Sequence, residues 1–284
     1  MKLTFKILLI LLMIGGIAFL VVKFIGGISD TKVGEVKVTE FEKHIDARVT
    51  NEIVGKDYEE ALDGFGDIIS EILTESKITT SDGQPSITEN EKSNTVKRAF
   101  YEFHPIFNNY TKSYFQRSSW SDSDLEDFQD ISETLIALEI AERNTSAYTD
   151  LQRTIQVVKD YNTARRLANG SSASSLSALE SYISQVRTYR QKDPLKNNTS
   201  LVNALNQAEG NAKRGYADRL IATCNNLANN YRNYGSYENF YDAYTSVSSS
   251  ISSFVNKYGN DGWFSSARSR LNSADQNAMS YYSN

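Results

Sequence analysis

Apolar and polar residues follow one another along this chain at the three- and four-residue intervals of amphipathic helices, and no stretch sustains the two-residue alternation of a strand. Thr39 and Glu42 have the spacing of a capping box, and Phe41, Ile45, Val49 and Ile53 line the helix they open. Beyond Gly55, a second stripe runs through Tyr58, Leu62, Phe65, Ile69 and Ile72. A polar loop over 77–88 separates it from a third helix, opened by Thr88 and Glu91 and striped by Val96, Phe100, Phe103, Phe107, Tyr110 and Tyr114. Pro105 lies inside that stripe, which predicts a kink rather than an end. Leu125, Phe128, Leu135 and Leu138 mark a fourth helix.

The pattern continues past residue 146. Leu151, Ile155 and Val158 mark a helix ending at Asn169–Gly170, and Leu176, Leu179, Ile183 and Val186 mark one ending at Asp193–Pro194. A long helix is predicted over 199–233. Another is predicted over 236–258, with Tyr237, Phe240, Tyr244, Val247, Ile251, Phe254 and Tyr258 on one stripe, and a last one comes after "YGNDGW". Eight to nine helices with short connections define an all-α chain, a helical bundle or a stack of helical hairpins. Leu227, Tyr231, Gly235, Tyr237 and Tyr244 are spaced as in a tetratricopeptide hairpin. However, Phe240 stands where that hairpin packs a small residue, and no period of about 34 residues recurs.

The N-terminal segment differs. Ile7 to Val22 carries no charge. As a helix this run rises about 24 Å, less than the ~30 Å hydrocarbon core of a bilayer. With Lys23 snorkelling at the membrane interface, residues 7–28 reach about 33 Å and span. No alanine pair marks a cleavage site and no cysteine lies directly beside the run, so residues 1–29 are expected to remain as a single transmembrane signal-anchor, with removal as a signal peptide the alternative. The lysines on its two sides nearly balance. The short charged start places the N-terminus inside and the remaining chain outside the cell membrane.

Charge divides the chain beyond the anchor into two parts. Between Asp30 and Ser146 there are 25 acidic and 12 basic residues, a net of −13, whereas Ala147 to Asn284 holds 10 acidic and 15 basic, a net of +5. Thirteen of the 17 tyrosines also fall after 146. The expected organisation is an acidic helical region over 30–146 and a basic region rich in tyrosine, asparagine and serine over 147–284. The single cysteine, Cys224, excludes an intramolecular disulfide framework and a cysteine-built zinc site.

Candidate chemistry is sparse. Counting from Asp122, acidic residues of "SDSDLEDFQDISE" fall where a calcium loop places oxygens, but Asp127 stands where that loop turns on glycine. Ser123 and Glu126 instead predict a capped helix start. His44 lies four residues after Glu40, on the same helix face, but no second histidine is near it; His44 and His104 are read as structural or exposed, and Cys224, with no histidine partner, as a buried and inert thiol. Glu75–Ser76 and Glu180–Ser181 begin like a glycan-cleaving motif without its continuation. No catalytic, cofactor-binding or metal-binding residue is assigned. The aromatic run "YRNYGSYENFYDAY" offers Tyr234, Tyr241 and Arg232 as a candidate partner surface, because Tyr234 and Tyr241 fall off the stripe expected to be core. The expected role is a non-enzymatic, membrane-anchored extracytoplasmic scaffold or protein-interaction module, of the kind that serves as a subunit of a membrane or cell-envelope complex. Its expected partners are the lipid bilayer, through residues 7–28, and other proteins. Binding of envelope polysaccharide or another anionic polymer is the alternative, and a glycan-cleaving enzyme comes third. No nucleic-acid partner is expected.

Overall fold

The computed structural model describes residues 39–81, 83–170 and 173–283. Among the described residues there are nine α-helices, three 3-10 turns and no strand; an isolated bridge joins Thr79 to Pro85 in the polar loop. The expected anchor over 7–28 and its interface residue Lys23 lie outside the described residues. Among the described residues no helix is long and apolar enough to cross a membrane. The chain separates into two compact units, one ending at Lys159 and the other beginning at Asp160.

In the first unit, α1 (Glu40–Glu52), α2 (Tyr58–Glu75), α3 (Glu89–Tyr114), α4 (Asp122–Ala137) and the first part of α5 (Ser146–Ala168) enclose an aromatic core. The capping boxes form as their spacing predicts. The Glu42 N–H donates to Thr39 Oγ1 (3.1 Å) while Glu42 Oε2 accepts from the Thr39 N–H (3.0 Å), and Thr88 and Glu91 repeat the exchange. Residues 58 and 65 on α2 meet 110 and 103 on the antiparallel α3. The Tyr58 ring stacks on Tyr110 (3.9 Å between centroids, 12°) and Phe65 on Phe103 (4.5 Å, 7°). Phe128 of α4 is set edge-on to Tyr58, Phe107, Tyr110 and Tyr114. Burial extends beyond the expected stripes to Ala61, Gly64 and Ile68, while Leu62, Val96 and Tyr110 are only half-buried. The helix α3 runs on through Pro105.

The start of α4 departs from expectation. Residues 122–137 are helical, so they do not form a twelve-residue calcium loop, but the cap is Ser121 and not Ser123. The Ser121 N–H, which a capping glutamate would satisfy, donates instead to the Tyr114 hydroxyl at 2.5 Å, and Ser121 Oγ is bonded to Ser123 Oγ at 3.0 Å. An aromatic side chain from the preceding helix replaces the local carboxylate.

In the second unit, the end of α5, α6 (Leu176–Gln191), α7 (Thr199–Asn229), α8 (Tyr237–Tyr258) and α9 (Ser265–Tyr282) pack around Leu179, Ile183, Val186, Leu205, Phe240, Ile251, Phe254 and Leu271. Ser175, Asn198 and Ser236 cap α6, α7 and α8, each accepting a backbone N–H three residues on. The long helix expected to reach 233 ends at Asn229, and Tyr231–Asn233 form a 3-10 turn. Gly235, at φ +78°, then turns the chain into α8.

Candidate functional site

Helix α8 carries the aromatic residues of the basic half. Its buried stripe is Phe240, Ile251 and Phe254; Tyr237, Tyr244, Val247 and Tyr258, expected to be core with them, are half-buried. The helix lies on the surface of its unit, so its stripe is narrower than the apolar pattern. Tyr237, Tyr241 and Tyr244 sit one turn apart and share a face. Tyr241 is 45% exposed. Its ring stacks on Tyr244 (5.8 Å, 15°) and lies tilted against Tyr237 (5.7 Å, 33°).

Helix α9 fixes this row. The Tyr237 hydroxyl donates to Asp275 Oδ1 and the Tyr244 hydroxyl to Asn272 Oδ1, both at 3.0 Å. Asn272 and Asp275, three residues apart, face the same way from α9. Loss of solvation and the bond to Asp275 hold the Tyr237 hydroxyl above the ordinary tyrosine range, so it stays a donor. The outer two rings of the triad are thus tethered, and the central one, Tyr241, projects furthest.

The other two sequence candidates have different surroundings. Tyr234 is half-buried, its ring edge-on to Phe240 (5.7 Å, 82°). Arg232 is exposed, with its guanidinium 5.4 Å from the ring centroids of both Tyr231 and Tyr281. The Tyr282 hydroxyl ties the C-terminal end of α9 to the Tyr231 carbonyl at 3.0 Å. Sequence reasoning missed Asn272, Asp275 and Tyr281. The only local signal for the first two was their i, i+3 spacing on a polar helix face.

His44 bonds Glu71 of α2 at 2.8 Å, not its helix neighbour Glu40. Burial would raise the Glu71 carboxyl, but bonds from Arg48 and His44 hold it below the usual range. His104 is buried, with Nε2 lacking a hydrogen-bond partner and 3.7 Å from Asp150 Oδ2; burial lowers its pKa. Cys224 is fully buried, which pushes its thiol up. Glu180 is paired with Lys257 at 2.6 Å, and Ser76 caps the end of α2. Among the described residues no group of three His, Cys, Asp or Glu side chains is gathered to hold a metal ion. No family model, curated protein or solved structure matches the chain.

Proposed function

We propose that the chain is a non-enzymatic interaction module, anchored in the membrane through residues 7–28 with its helical units outside, and that it meets a partner protein through the tyrosine face of α8. The observation that carries this reading is the exposed Tyr241 ring stacked on a tethered Tyr244. An aromatic side chain loses little conformational entropy on binding when its neighbours already hold it, and tyrosine supplies large contact area with a polar tip. The test uses the full-length chain in native membranes, with a photo-crosslinking amino acid at position 241 or at the exposed position 223. A discrete adduct at 241, absent at 223 and lost with Tyr244→Ala, is expected. Equal labelling at both positions counts against the reading. Protease digestion from outside the cell checks the orientation.

A second reading, glycan binding, is favoured by the exposed ring of Tyr241 with the polar side chains of Asn272 and Asp275 at the hydroxyl ends of its two neighbours, since a sugar offers a C–H face to a ring and hydroxyls to polar groups. Retention on a neutral glycan, abolished by Tyr241→Ala, would favour it over the protein partner.

A further inference from the structure

Within the second unit, one carboxylate holds three cations. Glu209 on α7 is 7% exposed. Its Oε1 accepts from Arg187 Nη2 (2.7 Å) and Lys213 Nζ (2.7 Å), and its Oε2 from Arg190 Nη1 (3.3 Å). Arg190 Nη1 also donates to Asn206 Oδ1 at 2.5 Å. Two rings adjoin the group: Lys213 Nζ lies 5.3 Å from the Tyr258 centroid, and the guanidinium of the neighbouring Arg214 lies 5.1 Å from that of Trp263.

One cation neutralises a buried carboxylate, and its remaining lone pairs can be satisfied by neutral donors. Here three cationic side chains converge on one carboxylate, so the quartet keeps a formal charge of +2. Glu180 does not reduce that excess, because it is paired with Lys257 at 2.6 Å; Asp218 is paired with Arg214 at 2.9 Å. Side-chain exposure rises from Lys213 (20%) through Arg190 (27%) to Arg187 (50%), so the positive charge opens outward along α6 from a carboxylate fixed beneath it. Arg187 and Arg190 are three residues apart on one helix face, and planar guanidiniums held from behind are preorganised for anionic oxygens.

We propose that Arg187 and Arg190, backed by Lys213 and oriented by Glu209, bind the anionic groups of a polysaccharide that carries carboxylates or phosphates along its length. This rests on the reading of the chain as a binding module, and it specifies charged polymers in place of neutral ones. The two arginines are the anion ligands, and Glu209 is a positioning residue.

The experiment measures retention of the full-length protein, in neutral detergent, on immobilised polygalacturonate, phosphorylated dextran and unmodified dextran. Retention on one or both anionic polymers and not on unmodified dextran is expected, with steep loss as salt rises. The two anionic arms tell carboxylate from phosphate. Arg187→Gln, at a half-exposed side chain, is expected to weaken binding at least about tenfold, with Arg187→Lys in part restoring it. Glu209→Gln removes the carboxylate that orients the two guanidiniums and is expected to weaken binding, with the steep loss at high salt retained. Equal affinity of Arg187→Gln and the parent, or retention on unmodified dextran to the same degree, overturns the proposal. Binding of Glu209→Gln at the parent's affinity, with its helix content unchanged, does so too. Failure here with position-241 crosslinking intact removes only this site; loss of that crosslinking with anionic binding intact removes only the tyrosine-face reading.

Discussion

A Cβ placed on Gly64 of α2 would lie 2.6 Å from the carbonyl oxygen of Glu52 at the end of α1. The obstruction is backbone, which cannot swing aside as a side-chain end does. The turn between these helices, with Gly55 at φ +74°, brings α1 and α2 together there.

Gly64→Ala is therefore expected to destabilise the chain, by about 1–3 kcal/mol, despite alanine's better helix propensity. Urea denaturation of the full-length protein checks this. An unchanged or higher midpoint would mean that the two helices separate without cost.

Tyr114→Phe removes the acceptor of the Ser121 N–H and leaves the buried ring in place. A loss of about 1 kcal/mol is expected, with faster hydrogen exchange at the first amides of α4. Exchange unchanged at Ser121 would show that the hydroxyl does not cap that helix.

His104 confers a pH dependence on the first unit. Its folded-state pKa is held below the ordinary value of 6.5 by burial, against the attraction of Asp150 and with repulsion from Lys112. The unfolded chain thus binds a proton more readily, and this contribution to stability is present above the ordinary value and is lost as pH falls below it through the depressed folded-state value. His104→Gln is expected to flatten the decline on acidification. Parallel profiles for the variant and the parent would refute the assignment.

Glu209 titrates lower. Burial would raise its carboxyl, but bonds from Arg187 and Lys213 outweigh this and hold it at about 2, against an ordinary 4.5. Its contribution, of order 3 kcal/mol, is present above 4.5 and lost as pH falls toward 2. Calorimetry of the parent and Glu209→Gln across this window is expected to show the two converging in acid.

The helices and their caps were largely legible in the linear order of residues. Thr39–Glu42 and Thr88–Glu91 form their capping boxes because each needs only groups three residues apart. Where a partner comes from another helix, local reading failed. Ser123 had the right spacing with Glu126, yet Tyr114 reached Ser121 first and moved the cap. The candidate surface was legible in part. Tyr241 stood out by falling off the stripe, but nothing near Tyr237 or Tyr244 indicated that Asp275 and Asn272 would tether them.

The sequence by itself determined that the described residues are all-helical, where those helices begin and end to within a few residues, and which residue types crowd the second half. These features come from a repeat near 3.6 residues and from caps within one turn, both local properties of the backbone. Only the tertiary structure decided which tyrosines of α8 stay at the surface and which cations gather on Glu209. Both depend on how closely neighbouring helices approach and on which polar groups that approach removes from water, and residues far apart in the chain set those distances.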